Sequence, residues 1–349
     1  NTWTISWGNG YGRKNIMNYD EKIFIAGASG MVGSAIKRLL IKKGYGDKKY
    51  GGEILCPNRF DLDLLNYESV KKWFSSNNPS IVILAAAKVG GILANSSQPY
   101  EFIFENLRIQ TNIIEASRLF GIKKLVFLGS SCIYPKFSRQ PIKEEYLLSS
   151  ELEKTNECYA IAKIAGLKLC EALRVQYDFN SISLMPCNLY GVGDNYNPET
   201  SHVIPALINK FYSAKKNRVK KVTCWGTGSP LREFLYVDDL AEACIFILKD
   251  WSRSQNKLLF EDYMMKNSWL NIGSGHEISI KSLSEMIAEI IGYQDEISWD
   301  KRMPDGTPRK ILDNTKIKSL GWEPKIKLED GLRMTIEDFK KNIYKNFEK

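Results

Sequence analysis

A chain of 349 residues with 44% hydrophobic and 26% charged residues has the make-up of a soluble globular protein, long enough for a large core and a second, smaller lobe. No apolar run approaches the ~20 residues of a membrane span. Seven scattered cysteines without a CxxC pair, and only two histidines, argue against a structural metal and for a reducing cytoplasm. The formal charge of +9 comes from dispersed basic residues, not from a nucleic-acid-binding face. The densest basic cluster, Lys215-Lys216-Asn217-Arg218-Val219-Lys220-Lys221, reads as a solvated loop. Positive potential around a cleft would also suit a small polyphosphate ligand.

Residues 1–20 form an irregular leader containing Trp3, Ile5 and Trp7 but no continuous apolar segment, so they do not read as a signal peptide. Lys22-Ile23-Phe24-Ile25-Ala26 is a short β-rich run. It is followed by Gly27-Ala28-Ser29-Gly30-Met31-Val32-Gly33, then by Ser34 to Leu40 in helical rhythm. Strand, glycine turn and helix in that order are the setting of a dinucleotide fingerprint, here spaced GxxGxxG. Gly27 permits the tight turn, Gly30 the close approach of a pyrophosphate, and Gly33 helix–strand packing. The helix start offers free N–H donors to the phosphates.

The next strand, Glu53 to Pro57, ends in Asn58-Arg59 where an NAD site would place a carboxylate for the ribose hydroxyls. Arg59 suits a 2′-phosphate, so NADP(H) is the expected cofactor, with Asp61 and Leu62 bordering the adenine. Ser80 to Leu84 is another buried strand. It runs into Ala85-Ala86-Ala87-Lys88-Val89-Gly90-Gly91, whose small residues let a cofactor backbone come close. A helix from about Tyr100 to Phe120 precedes the apolar strand Lys124 to Leu128.

That strand delivers Gly129-Ser130-Ser131-Cys132-Ile133-Tyr134-Pro135, and a long helical pattern then opens with Tyr159-Ala160-Ile161-Ala162-Lys163. Tyr159 and Lys163, four apart, lie on one helix face. A hydroxyl at a strand end with a Tyr/Lys pair on the next helix can polarise a carbonyl and deliver a proton to it. Beside a nicotinamide, such a site reduces ketones. Cys132, next to the hydroxyl, points to a further step.

The strand Asn180 to Pro186 leads to Cys187-Asn188-Leu189-Tyr190-Gly191. Alternation then loosens through Asp194 to Glu199 and Ser201-His202-Val203-Ile204-Pro205, before a helix that ends near Lys216. Residues 238–250 read as a helix capped by Asp238 that returns to the sheet. Residues 278–293 and 329–345 read as amphipathic helices of the second lobe, with a loop over 303–310 between them. The whole predicts an α/β protein with a Rossmann-type, doubly wound, mainly parallel sheet. The NADP-binding domain is expected over 21–188 plus about 232–251. A smaller, mostly C-terminal α/β substrate lobe is expected over about 189–231 plus 252–349.

The glycine turn, Ser130 and Tyr159-x-x-x-Lys163 together resemble the extended short-chain dehydrogenase/reductase family. The strings AAAKVGG (85–91), LGSSCIYPK (128–136), YAIAKIAG (159–166), SHVIPAL (201–207), REF..VDD (232–239) and DGTPRK (305–310) narrow the resemblance to the GDP-L-fucose synthase family. It runs from about Lys22 to the C-terminal helix. The reaction it implies is 3,5-epimerisation and NADPH-dependent 4-reduction of GDP-4-keto-6-deoxy-D-mannose to GDP-L-fucose. A 4-keto group makes the hydrogens on both flanking carbons acidic, so one group can remove a proton and another return one on the opposite face.

The resemblance assigns that pair of roles to Cys132 and His202. It has Tyr159 protonate the C4 oxygen, Ser130 hydrogen-bond it, and Lys163 lower the phenol and bind the nicotinamide ribose. It implies further cofactor contacts from Leu128, Gly129, Pro186, Asn188, Leu189 and His202. For the GDP end it implies Lys210, Trp225, Arg232, Asp305 and Lys310, and it implies a homodimer through the helices near 100–120 and 155–178. Family members often carry Arg at position 210, and Lys210 keeps the charge but loses the fork. Some carry a basic residue where this chain has Ala28-Ser29, which leaves the NADP reading on Arg59. The nearest alternative is a reductase, with or without epimerase activity, for a related GDP-4-keto-6-deoxy sugar such as a heptose. Having both Cys132 and His202 favours the epimerase. A non-catalytic NADP sensor would have no use for Ser130, Tyr159 and Lys163 together.

Overall fold

The computed structural model describes residues 17–197, 200–250, 268–303 and 305–343. The first sixteen residues of the expected leader, Pro198, Glu199, Pro304 and the end of the last expected helix lie outside them. In chain order the described strands are β1 (Lys22–Ala26), β2 (Glu53–Leu55), β3 (Ile81–Leu84), β4 (Lys124–Leu128), β5 (Ser181–Pro186), β6 (Asn188–Tyr190), β7 (Lys221–Trp225), β8 (Leu231–Tyr236), β9 (Trp269–Ile272), β10 (Glu277–Ser279), β11 (Glu296–Asp300) and β12 (Arg309–Lys310).

A six-stranded sheet runs β2-β1-β3-β4-β5-β9, and each neighbouring pair is parallel. Every residue of β3, β4 and β5 is buried, as strands covered on both faces must be. Strand order reverses between β1 and β3, and in such sheets ligands bind outside the carboxyl ends at that switch. The glycine turn after β1 and Ala85-Ala86 after β3 both stand there. Gly27 takes φ +87°, and a Cβ on it would lie 2.7 Å from Ala86 N. The turn and the β3 exit therefore touch backbone to backbone.

Gly33 is required for a different contact from the one expected. A Cβ there would stand 2.2 Å from the Gly27 carbonyl oxygen and 2.8 Å from Ala28 Cα, so the Met31–Lys42 helix packs onto its own entry turn. Gly33→Ala gains up to about 1 kcal/mol of helix propensity. Against that it drives a methyl into backbone, and overpacking of this kind costs about 1–3 kcal/mol or more. Clash wins. The variant is expected to unfold at lower urea concentration and to bind NADPH more weakly, as urea titration and fluorescence titration would read.

The segment expected wholly in the second lobe contributes the sheet's sixth strand, β9, which pairs with β5 through Ser183–Trp269 to Pro186–Ile272. A boundary at about 252 therefore fails at this strand. The remaining strands form a sheet of β6, β10 and β12 around β8, and a parallel pair, β7 with β11. Two apolar cores result. One surrounds the six-stranded sheet; the other gathers Tyr190, Tyr196, Ile208 and Phe211 with Leu283, Ile287, Leu332 and Ile336. Alternation along β8 serves both, because Leu235 enters the first core while Phe234 and Tyr236 enter the second.

Two local readings are corrected. The helix expected from Asp238 starts at Val237, and Asp238 sits in its first turn, paired with Arg38 at 3.0 Å. The basic cluster at 215–221 is exposed as expected, but only 217–220 form the loop between a helix and β7. Lys215 ends a helix and donates to Ile291 O, Lys220 pairs with Asp295, and Lys221 opens β7 opposite Glu296. Among the described residues no helix is long and apolar enough to cross a membrane.

Candidate functional site

Ser130 and Cys132 stand beyond the carboxyl end of β4, next to the start of the helix that carries Tyr159 and Lys163. Gly129 follows β4 and needs its missing side chain, because a Cβ would lie 2.2 Å from Met185 Sδ. Ser130 then caps a short turn over Ser131–Ile133, its Oγ accepting from Cys132 N at 3.2 Å. Serine and cysteine are thus fixed on one turn. The Tyr159 phenol lies close enough to Ser130 and Cys132 for both to act on it. Tyr159 and Lys163 lie on the Glu157–Tyr177 helix, and the Tyr159 ring meets Phe102 edge-on at 6.3 Å between centroids.

Burial, rather than the neighbouring lysine, dominates the phenol of Tyr159 and pushes it up; the Ser130 hydrogen bond draws it down. The lowering by Lys163 that the resemblance implies is not among the influences on this group. Lys163 Nζ donates to Leu128 O at 2.9 Å and lies 5.0 Å from the Phe127 ring centroid and 5.9 Å from that of Tyr159. Its own burial brings it down to about 8.

His202 precedes the Val203–Lys216 helix at its N-cap and is exposed, with its carbonyl accepting from Ala206 N. Displacement of water by surrounding atoms holds the imidazole below its ordinary value. Its segment is tied to the β3 exit: Gly91 N donates to Thr200 O at 3.1 Å, and a Cβ on Gly91 would meet Ser201 O at 2.7 Å. A Cβ on Gly90 would touch Phe102 at 3.2 Å, the ring that also meets Tyr159. The segment before His202 thus packs on the 85–91 loop, whose Gly90 borders Phe102.

The cradle fits a dinucleotide. Gly30, at the N-cap of the Met31–Lys42 helix, would place a Cβ no closer than 3.5 Å to any neighbour, which leaves the helix start open to a phosphate. Ala28, Ser29, Met31 and Val32 are part- or fully exposed around it, and Ala85 and Ala86 are half-buried beside it. After β2, Asn58 and Asp61 close a turn with their own side chains, leaving Arg59 exposed at its tip. Leu62 departs from the expectation, for its side chain belongs to the main core. Leu128 and Pro186 are likewise buried, and Leu128 meets the site through its carbonyl. Asn188 is spent on Glu233 O at 2.9 Å, and Leu189 pairs with Leu235.

Four of the five residues expected at the GDP end fall on one contiguous surface. Asp305 accepts from Thr227 N at 2.7 Å and from Thr227 Oγ1 at 2.8 Å, two residues after exposed Trp225. Arg232 faces the same turn, within 3.4 Å of a Cβ on Gly306, and burial pulls its guanidinium down while Asp305 opposes. Lys210 joins through β7, donating to Thr223 O at 2.8 Å. Lys310 sits beside Arg232 in the β12–β8 pair, with its ammonium 3.8 Å from Cys132 Sγ. Asn156, which sequence reasoning missed, donates to the same sulfur at 3.3 Å. The only signal that could have found it is its position just before the tyrosine helix.

This arrangement can polarise a carbonyl, protonate its oxygen, and exchange protons at carbons beside it. Residues 23–260 match the model of the NAD dependent epimerase/dehydratase family. The chain is 50% identical to GDP-L-fucose synthase 1 of Arabidopsis thaliana over 92% of its length and 94% of that protein's. It is 45% identical to GDP-L-fucose synthase of Escherichia coli, covering 92% of this chain and 97% of that one. A GDP-mannoheptose C4 reductase from Campylobacter jejuni, solved with NADP bound, superposes with a TM-score of 0.80 at 38% identity, over 93% of this chain and 99% of that one.

Proposed function

The chain belongs to the NAD dependent epimerase/dehydratase family and, within it, to the GDP-L-fucose synthases, and on that premise we propose how its residues divide the reaction. The protein converts GDP-4-keto-6-deoxy-D-mannose to GDP-L-fucose by 3,5-epimerisation and 4-reduction, with NADP(H) as cofactor. One observation supports the residue assignment above the others. Ser130 and Cys132 share one turn, and the Tyr159 hydroxyl meets that turn through Ser130. That closeness of Ser130, Cys132 and Tyr159 supports reading one acid–base group for the flanking carbons beside the proton donor for the ketone oxygen.

Ser130 donates to the C4 oxygen and holds the charge that gathers there as an enolate forms. Cys132 and His202 exchange protons with the two flanking carbons from opposite sides. When bound, NADPH supplies the hydride that C4 receives. Tyr159, kept protonated by its burial, gives its phenolic proton to the C4 oxygen, and Lys163 holds the tyrosine face of the site in place from the Leu128 carbonyl. The helix start at Gly30 with Ala85 and Ala86 holds the cofactor phosphates, and Arg59 the 2′-phosphate. Lys210, Trp225, Arg232 and Asp305 hold the GDP portion. The two apolar cores support a nucleotide-binding lobe and a sugar-binding lobe meeting at β8. A homodimer through the 99–119 and 157–177 helices is supported by exposed Tyr100, Phe104 and Ile161 on them, and a cytoplasmic location by seven free cysteines.

The test is product analysis with GDP-4-keto-6-deoxy-D-mannose and NADPH in D2O. Deuterium at both C3 and C5 of a GDP-L-fucose product is the expected result. A reduced product without deuterium would make the protein a plain 4-reductase, the activity named for the heptose-sugar relative.

A further inference from the structure

The Cys132 sulfur accepts from two donors that come from distant parts of the chain, Asn156 Nδ2 at 3.3 Å and Lys310 Nζ at 3.8 Å. Lys310 arrives on a stretch of backbone pinned from several sides. β12 pairs with Leu231 and Arg232. Gln140 accepts from Ile311 N at 2.9 Å and donates to Arg309 O at 3.1 Å. Buried Glu233 accepts from Leu312 N at 3.0 Å, and Arg309 pairs with Glu277 at 2.7 Å. The ammonium is therefore presented to the sulfur by a fixed segment. Lys310 is not ion-paired with any carboxylate among the described residues. The other groups around the sulfur are the Tyr159 phenol and Ser130 on the same turn. A cation beside sulfur favours its negative charge, and so does donation to it from a neutral amide.

We propose that Lys310 is a positioning residue of the epimerisation, its ammonium set against the Cys132 sulfur to hold the charge that sulfur carries as it acts as base. In that step a C–H bond next to the ketone breaks and an S–H bond forms on Cys132. The electron pair passes into the enolate, with its charge on the C4 oxygen beside Ser130 and Tyr159. Asn156 supplies the second, neutral donor. The inference rests on Cys132 being the base of the proposed reaction, and it moves Lys310 from the GDP end to the sulfur.

The test treats the full-length enzyme, without substrate or cofactor, with iodoacetamide at neutral pH and follows each cysteine by peptide mass spectrometry. Lys310→Met is expected to slow labelling of Cys132 about tenfold, while Lys310→Arg keeps it within about threefold of the parent. Cys56 and Cys158, also part-exposed, keep their rates in the same samples. Labelling of buried Cys170 or Cys244 would mark a misfolded variant, in which case Lys310→Gln carries the same expectation. Parental labelling of Cys132 in a folded variant lacking the charge overturns the proposal. Should such a variant lose GDP affinity instead, Lys310 is a diphosphate ligand only. Labelling needs no turnover, so its failure is distinct from failure of the GDP-L-fucose reading, which the product analysis in D2O decides.

Discussion

Tyr159→Phe is expected to lower NADPH-dependent reduction by about a hundred- to ten-thousand-fold, the range of a positioned general acid, while deuterium still enters C3 and C5 from D2O. The phenylalanine keeps the edge contact with Phe102 and loses only the hydroxyl that meets Ser130. Burial raises that hydroxyl, so at neutral pH it is a proton donor, which is the state quenching of a C4 alkoxide requires. NADPH oxidation in single turnover, with NMR of the recovered sugar, reads both halves. Unchanged turnover would remove Tyr159 from the chemistry.

Cys132→Ser is expected to act on the other half. A serine hydroxyl is a far weaker acid than a thiol, so it cannot serve as the resting base. Deuterium entry at the flanking carbons should fall by about a hundred- to ten-thousand-fold. NADPH affinity should stay near the parental value, because the glycine cradle lies after β1 and Cys132 after β4. Normal exchange in this variant would place the base elsewhere. Together the two variants separate inversion from reduction.

Much of this was legible because the chemistry is local. The glycine turn, Ser130 with Cys132, and Tyr159 with Lys163 each sit within a few residues of one another, on a strand end or a helix start that apolar patterning marks. What was not legible is long-range. Lys310 and Cys132 lie far apart in sequence and meet only because β12 docks beside β8. β9 hides because Trp269-Leu270-Asn271-Ile272 is short and carries a polar residue. In the fold, Asn271 accepts from Tyr134 OH at 2.6 Å and donates to Ile142 O, so its amide is satisfied inside the core. β8 hides for the same reason, since Arg232 and Glu233 interrupt its apolar run while buried Glu233 accepts from Gly275 N and Leu312 N. The fate of Lys163 also lay beyond pattern, because the carbonyl its helix side chain binds belongs to β4.

The strand whose odd and even side chains serve separate interiors has a mechanical meaning. Phe234 and Tyr236 cannot be loosened without tugging Leu235, so melting of the second core should drag the first with it. Heat should then dismantle the protein in one cooperative event, and calorimetry should record a single peak instead of two. Any opening that admits the sugar nucleotide must find its flexibility away from this shared beam.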